Sequence, residues 1–552
     1  MRNLRSNSGL LAPPAALGLL LGAACFVGAL TPSLIPRSGL IQGVLAGASF
    51  AAGYGLGALL QLIWRLLQLP LAQGRGPARW TALLAALGIA WGLSQATPWQ
   101  HALHVAMHMP PVESARPFII LGVALLVAGI LILLGRIFAR AAMLVARQLT
   151  PIMPERVALL LGLVTAVLVF GFIGNDVVTR LAFQSFDNAY RAIDARLPAE
   201  ASPPADPLAS GSAASLIGWQ GLGAEGRNRV SDPLNAAQIA QIAGTDALQP
   251  LRVYVGLGNA ETPEERAQLA LNEAIRVGAF DRATLVIATP TGTGWMDPAA
   301  MMPLEVLTRG DVATVSVQYS YLPSWLALLA DPDYGSETSR AVFAAIHGYW
   351  ETLPEASRPR FYLFGLSLGS LNSDLSADFY DLIGAPHQGA FWVGPPFASR
   401  SWTEITAGRQ PGTPEWLPRF RDGSVVRFMN QTEIPDAGRR WGPMRIVYLQ
   451  YASDPITFFS TSTLWREPDW MKDPRGPDVI KELRWMPVVT FLQLGFDVIT
   501  ATSTPSGFGH VYAARDYARG WRELLSPQDQ DLGGWDQPAL DRLDQALQAR
   551  GL

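Results

Sequence analysis

Hydrophobic and polar positions divide the chain into two textures. Through residue 174 the apolar residues run in long uncharged blocks, at 9–30, 39–64, 80–98, 117–135 and 157–174. Each block is about 18–26 residues long, and a helix needs roughly 20 to cross a hydrocarbon core, so about five spans are expected. From about residue 250 the apolar runs shorten and alternate with amphipathic stretches. Residues 251–257, 284–289, 313–319, 360–364 and 445–451 read as strands, and 263–277, 298–308 and 336–353 as helices. Strands alternating with helices of this length predict βαβ units around a mostly parallel sheet. Between the two textures, 176–195 reads as a juxtamembrane helix, and a segment rich in Ser, Pro and Gly follows near 200–215. The expected organisation is therefore an α-helical membrane domain over 1–178, a helix and linker over 179–249, and an α/β domain over 250–552.

Composition supports the first texture. The chain is 49% hydrophobic and 16% charged, whereas a soluble domain carries about 25% charged residues. Its net charge of -3 gives no basic surface for nucleic acid. Cys25 is the single cysteine, which excludes intrachain disulfides and a cysteine-based metal cluster. Arg2 and Arg5 precede the first block as they would in a signal peptide, but the apolar run exceeds the usual 7–15 residues. The arginines at 2 and 5, at 65, 75 and 79, and at 136, 140 and 147 fall on alternate sides of successive blocks. The positive-inside rule makes that side the cytoplasm, and five crossings would put the C-terminal domain outside it.

The chemistry concentrates in the second texture. After the strand at 360–364 comes Gly365-Leu366-Ser367-Leu368-Gly369, a G-x-S-x-G motif. With a helix expected over 368–380, this is the context of a nucleophile elbow, whose tight turn exposes the serine hydroxyl. A triad on such an elbow runs in the order Ser, acid, His, and the one histidine after any plausible acid is His510. Asp454 follows the strand at 445–451 directly, where a carboxylate can orient the histidine. Asp497 is a competitor, although only 13 residues before His510, and Asp454 read as a helix cap is the plain alternative. For an oxyanion, the N–H of Leu368 is the first expected donor. Thr291, Gly292 and Thr293, in the Gly-rich loop after 284–289, are candidates for the second.

These residues resemble the bacterial membrane-anchored α/β-hydrolase family, which joins a multi-span N-terminal domain to a C-terminal hydrolase domain. The likeness covers nearly the whole chain. It rests on Ser33-Leu34-Ile35-Pro36-Arg37, on the segment from Gly211-Ser212 through Trp219, Leu222-Gly223 and Gly226-Arg227, and on the loop from Thr289 to Trp295. It continues through the serine elbow, Trp392-Val393-Gly394-Pro395-Pro396-Phe397, Ser453-Asp454-Pro455 and the loop from Gly507 to His510. The resemblance implies an α/β-hydrolase fold and the Ser–Asp–His triad, with no particular substrate.

Two insertions, 396–444 and 455–507, exceed what a bare hydrolase core needs and carry Trp402, Trp416, Trp441, Trp465, Trp470 and Trp485. They are expected to form a lid that meets lipid, the alternative being tryptophans that simply pack the insertions. Arg37 reads as a headgroup contact. His101, His104 and His108 share a helical spacing that reads as a polar stripe more readily than as a metal site. The expectation is a serine esterase or lipase in the inner membrane, its hydrolase domain on the extracytoplasmic side, needing no cofactor or metal. Its substrate would be a lipid or other envelope ester. An acyltransferase with the same triad is one alternative, and a non-catalytic binding protein on a hydrolase fold is another. A transporter is disfavoured, because no charged residue lies inside the five blocks.

Overall fold

The computed structural model describes residues 16–67, 75–174, 180–196, 202–231, 233–330, 335–436, 439–526, 535 and 537–552. Arg2, Arg5, residues 9–15 of the first apolar block and the expected boundary at 178/179 lie outside these residues. The chain forms two compact units. One comprises 1–185 with 459–472 and 478–503, the other 186–458 with 473–477 and 504–552. The units are thus not consecutive in sequence. Most of the second insertion belongs to the helical unit, not to the α/β unit that its position suggests.

The helical unit contains α1 (Ala16–Leu30), α2 (Gly39–Leu66), α3 (Arg75–Ala106), α4 (Pro117–Leu149) and α5 (Glu155–Phe172). Among the described residues three helices are long and apolar enough to cross a membrane: Gly39–Trp64 within α2, then α4 and α5. The first and third expected blocks are not among these three. The first block is described only over the 15 residues of α1, its residues 9–15 lying outside the described part. The apolar block in α3 gives way to Ser94, Gln95, Gln100 and His101, with Pro98 inside the helix. Helix α3 ends at Ala106 and His108 has a left-handed backbone (φ 56°), so the three histidines do not continue along one helical face.

Small residues set the helix spacing. A Cβ at Gly53 of α2 would lie 2.5 Å from the Leu21 carbonyl of α1, and one at Gly47 would lie 2.7 Å from that of Ala124 in α4. This is the close approach that membrane helices achieve through glycine. The inserted helix Val489–Ile499 contributes Gln493 and Asp497 to the same unit. Arg37, expected at a headgroup, is instead fully buried there. Its Nη2 donates to Asp497 Oδ1 at 2.6 Å and to the Gln493 carbonyl at 3.1 Å. Ser33 Oγ and the Leu34 N–H donate to the same carboxylate, both at 3.2 Å. Gln493 Nε2 and Gln42 Nε2 donate to the carbonyls of Thr31 and Ala29 at the end of α1. Those carbonyls have no partner within their own helix.

The second unit is built on a seven-stranded sheet. Its strands are β1 (Leu251–Val255), β2 (Thr284–Thr289), β3 (Val312–Val317), β4 (Arg360–Leu366), β5 (Gly389–Val393), β6 (Val426–Met429) and β7 (Arg445–Leu449). Their spatial order is β1-β3-β2-β4-β5-β7-β6, and every pairing is parallel. A parallel sheet covered on both faces buries whole strands, and β1, β2 and β3 are buried at every residue. The first insertion supplies the edge strand β6 in place of the expected lipid-facing surface. Its tryptophans are core: Trp402, Trp416 and Trp441 are all buried, and Trp402 Nε1 donates to Gln450 Oε1 at 2.7 Å. In the helical unit's insertion Trp470 is buried, whereas Trp465 is 65% exposed.

Candidate active site

The elbow follows from steric necessity. At the end of β4, Ser367 has φ 58° and ψ -129°, a conformation that costs a non-glycine residue about 1–3 kcal/mol. Helix α7 (Leu368–Asp374) starts at the next residue. A Cβ at Gly365 would stand 2.3 Å from the Gly369 carbonyl, and one at Gly369 would stand 2.4 Å from the Thr289 carbonyl. Side chains at either position would break the turn or drive β2 away. The Ser367 N–H is tied to the Val393 carbonyl at the end of β5 (2.9 Å). The Leu368 N–H lies in the first turn of α7, where N–H groups lack intrahelical acceptors.

Asp454 lies five residues beyond β7 and is fully buried. Its Oδ1 accepts from the Ile456 N–H at 2.9 Å, so it does cap the short helix Pro455–Phe458. Its other oxygen faces the histidine: His510 Nδ1 stands 2.7 Å from Asp454 Oδ2. His510 Nε2 is buried and has no hydrogen-bond partner among the described residues. Gly394, just beyond β5, has φ 52°, and a Cβ there would lie 2.6 Å from His510 Cε1. The backbone next to the strand that anchors Ser367 therefore also makes room for the imidazole. The histidine loop is held by the Gly509 N–H, which donates to Ser453 Oγ at 2.8 Å.

This arrangement is an acid–base pair with one imidazole nitrogen oriented by a carboxylate and the other left free. It lies in the same unit as a serine on a strained turn. The chain belongs to the α/β-hydrolase family. The family described as "Alpha/beta-hydrolase family" matches residues 251–543, more than half of the chain, and "Alpha/beta-hydrolase family N-terminus" matches residues 30–233. No curated protein and no solved structure matches it.

The remaining candidates in this member of the α/β-hydrolase family fare unevenly. Asp497 lies in the helical unit, bound to Arg37, and not with His510. In the loop after β2, the Thr291 N–H donates to the Trp295 carbonyl at 3.0 Å and the Gly292 N–H to Ser324 Oγ at 3.0 Å. Both N–H groups are thereby committed in this structure. The Thr293 carbonyl accepts from Gln318 Nε2 at 3.0 Å. Pattern reading overlooked two groups. Tyr512 donates to Asp454 Oδ2 at 2.7 Å; its signal was a hydroxyl two residues after the histidine in the same loop. Asp297 caps α6 (Pro298–Leu307) and accepts from Tyr517 Oη at 2.9 Å. Burial pushes its carboxyl up to about 6, opposed by the Ala299 N–H, the Tyr517 hydroxyl and the nearby His510. Among the described residues no cluster of three His, Cys, Asp or Glu could hold a metal ion.

Proposed function

We propose that the chain is a membrane-tethered serine hydrolase that cleaves an ester, of a lipid or another envelope component, through an acyl-enzyme. The observation that carries this reading is the His510–Asp454 contact of 2.7 Å with Nε2 unpartnered, in the unit that holds the Ser367 elbow. In the proposed cycle Ser367 Oγ attacks the ester carbonyl as its proton passes to His510 Nε2. Asp454 stabilises the imidazolium, the Leu368 N–H donates to the oxyanion, and the proton leaves with the alcohol. Water, deprotonated by the same imidazole, then attacks the acyl-enzyme, and the carboxylic acid departs from Ser367. A second oxyanion donor from Thr291 or Gly292 would require the present bonds of their N–H groups to rearrange. The apolar helices α2, α4 and α5 support tethering, and with all five apolar blocks crossing, the distribution of arginines favours an extracytoplasmic hydrolase unit.

The test is fluorophosphonate labelling of membranes carrying the wild type, Ser367→Ala and His510→Ala. Labelling should vanish in the first variant and fall by about 10³-fold or more in the second. A wild type that stays unlabelled in bilayers and leaves bilayer-presented esters intact would sink the reading.

A further inference from the structure

We infer that Tyr512 is a positioning residue for the acid–base pair, holding Asp454 by the same oxygen that holds His510. This rests on the hydrolase reading above. Three donors converge on Asp454 Oδ2: His510 Nδ1 at 2.7 Å, Tyr512 Oη at 2.7 Å and Thr457 Oγ1 at 3.3 Å. The other oxygen is occupied by the Ile456 N–H. In a site this dry, a carboxylate keeps its charge only when its lone pairs are met, and each donor shares in that charge. Tyr512 thus does two things at once. It fixes rotation of the carboxylate so that Oδ2 stays in line with Nδ1, and it draws charge away from the atom that grips the imidazole.

The surroundings hold the phenol in that role. Tyr512 is 3% exposed, and its ring centroid lies 4.3 Å from that of Tyr451 and 6.2 Å from that of Tyr517. Tyr451, just beyond β7, accepts from the Ala513 N–H at 3.0 Å and donates to Asp516, so it buttresses the segment that follows Tyr512. Tyr517, on α8 (Ala514–Leu525), donates to Asp297. The ionisable groups around the phenol are therefore Asp454 and Tyr451 from the β7 end, His510 on its own loop, and Tyr517 on α8. Asp516 and Asp297 stand one partner further out. Burial, then the Asp454 charge, pushes the phenol well above its ordinary value, so it remains a donor at any pH the enzyme would meet.

A hydroxyl that merely filled the core would leave the chemistry unchanged when removed, and this separates the two roles. The experiment follows the fluorophosphonate labelling rate against pH, using the full-length protein in phosphatidylethanolamine–phosphatidylglycerol vesicles. The wild type, Tyr512→Phe and a protein with 3-fluorotyrosine at 512 are compared. Losing the donor leaves more charge on Oδ2, which holds the protonated imidazole more firmly. The acid limb of Tyr512→Phe should therefore move up by about half to one pH unit, and its plateau rate should fall about tenfold. Fluorination makes the phenol a stronger donor and should move the limb down. In parallel, the His510 Nδ1 proton resonance is read from histidine-labelled protein, and it should shift downfield in Tyr512→Phe. That signal needs no reactive serine, so an unlabelled wild type would defeat the hydrolase reading while the resonance still decides the role of Tyr512. A limb and a resonance both unmoved in Tyr512→Phe, with only the melting temperature lowered, would overturn the inference.

Discussion

Asp454 and Asp497 are both fully buried aspartates on the segment between the serine elbow and the end of the chain, and they are bound in opposite ways. Asp497 meets Arg37, a permanent cation, together with Ser33 and the Leu34 N–H. Burial still holds its carboxyl above the ordinary value, with Arg37 the largest opposing influence. Asp454 meets a histidine, a group that exchanges protons, and a phenol that stays a donor. An arginine partner fixes charge for good and ties distant chain segments together. A histidine partner leaves the charge on its far nitrogen adjustable, and that nitrogen is free. Burial depth therefore does not mark the site; the partner's chemistry does.

The largest effect should come from breaking the adjustable pair. Asp454→Asn removes the charge that stabilises the imidazolium but leaves side-chain volume and the cap on Ile456 nearly intact. The fluorophosphonate labelling rate should drop by about 10³–10⁴-fold while thermal unfolding shifts little. Gly394→Ala attacks the same pair sterically, through a Cβ placed 2.6 Å from His510 Cε1. A loss of roughly 10²-fold is expected. A near-normal rate would mean that the imidazole has slack that this packing denies.

Breaking the fixed pair should reverse the pattern. Asp497→Ala strands the Arg37 guanidinium and should cost about 3–5 kcal/mol in the helical unit, read as a lower unfolding midpoint in detergent. The labelling rate per folded molecule should stay within a few-fold of wild type. Replacing both partners, Arg37→Met with Asp497→Leu, should restore much of the lost stability, because no buried charge is left uncompensated. A catalytic loss in Asp497→Ala as deep as that in Asp454→Asn would erase the distinction between the two aspartates.

What was legible in the sequence follows the same division. Short-range chemistry could be read: G-x-S-x-G must sit on a strand-to-helix turn, and the strands at β2, β4 and β7 are apolar runs bounded by breakers. Asp454 was legible because it lies in the turn just past a strand. Asp497 looked like a competitor because it too follows an apolar run, and only a contact 460 residues away in sequence reveals its partner. Arg37 was misread for the same reason, since nothing local says that its cation is matched. The edge strand β6 was hidden in an insertion, at four residues too short to carry a period. Tryptophans gave the wrong impression there because a buried indole and an interfacial one look alike in sequence. An uncharged block also resembles a span until its polar residues, such as those in the second half of α3, are weighed.

Asp297 sharpens the comparison from a third side, for it has neither an arginine nor a directly bonded histidine. Its carboxyl is raised from 3.8 to about 6, first of all by burial. Because the folded value lies above the unfolded one, the folded protein binds this proton more tightly. The resulting stability is complete below about pH 4 and is lost as pH rises through about 6. Asp297→Asn keeps the helix cap and can still accept from Tyr517, but it has no proton to lose. The variant should therefore gain on the wild type between pH 4 and pH 6, by up to about 3 kcal/mol, and hold that gain at higher pH. Urea unfolding of the two proteins across this range reads the difference directly. A difference that stays constant with pH would mean that burial does not raise this carboxyl above its ordinary value.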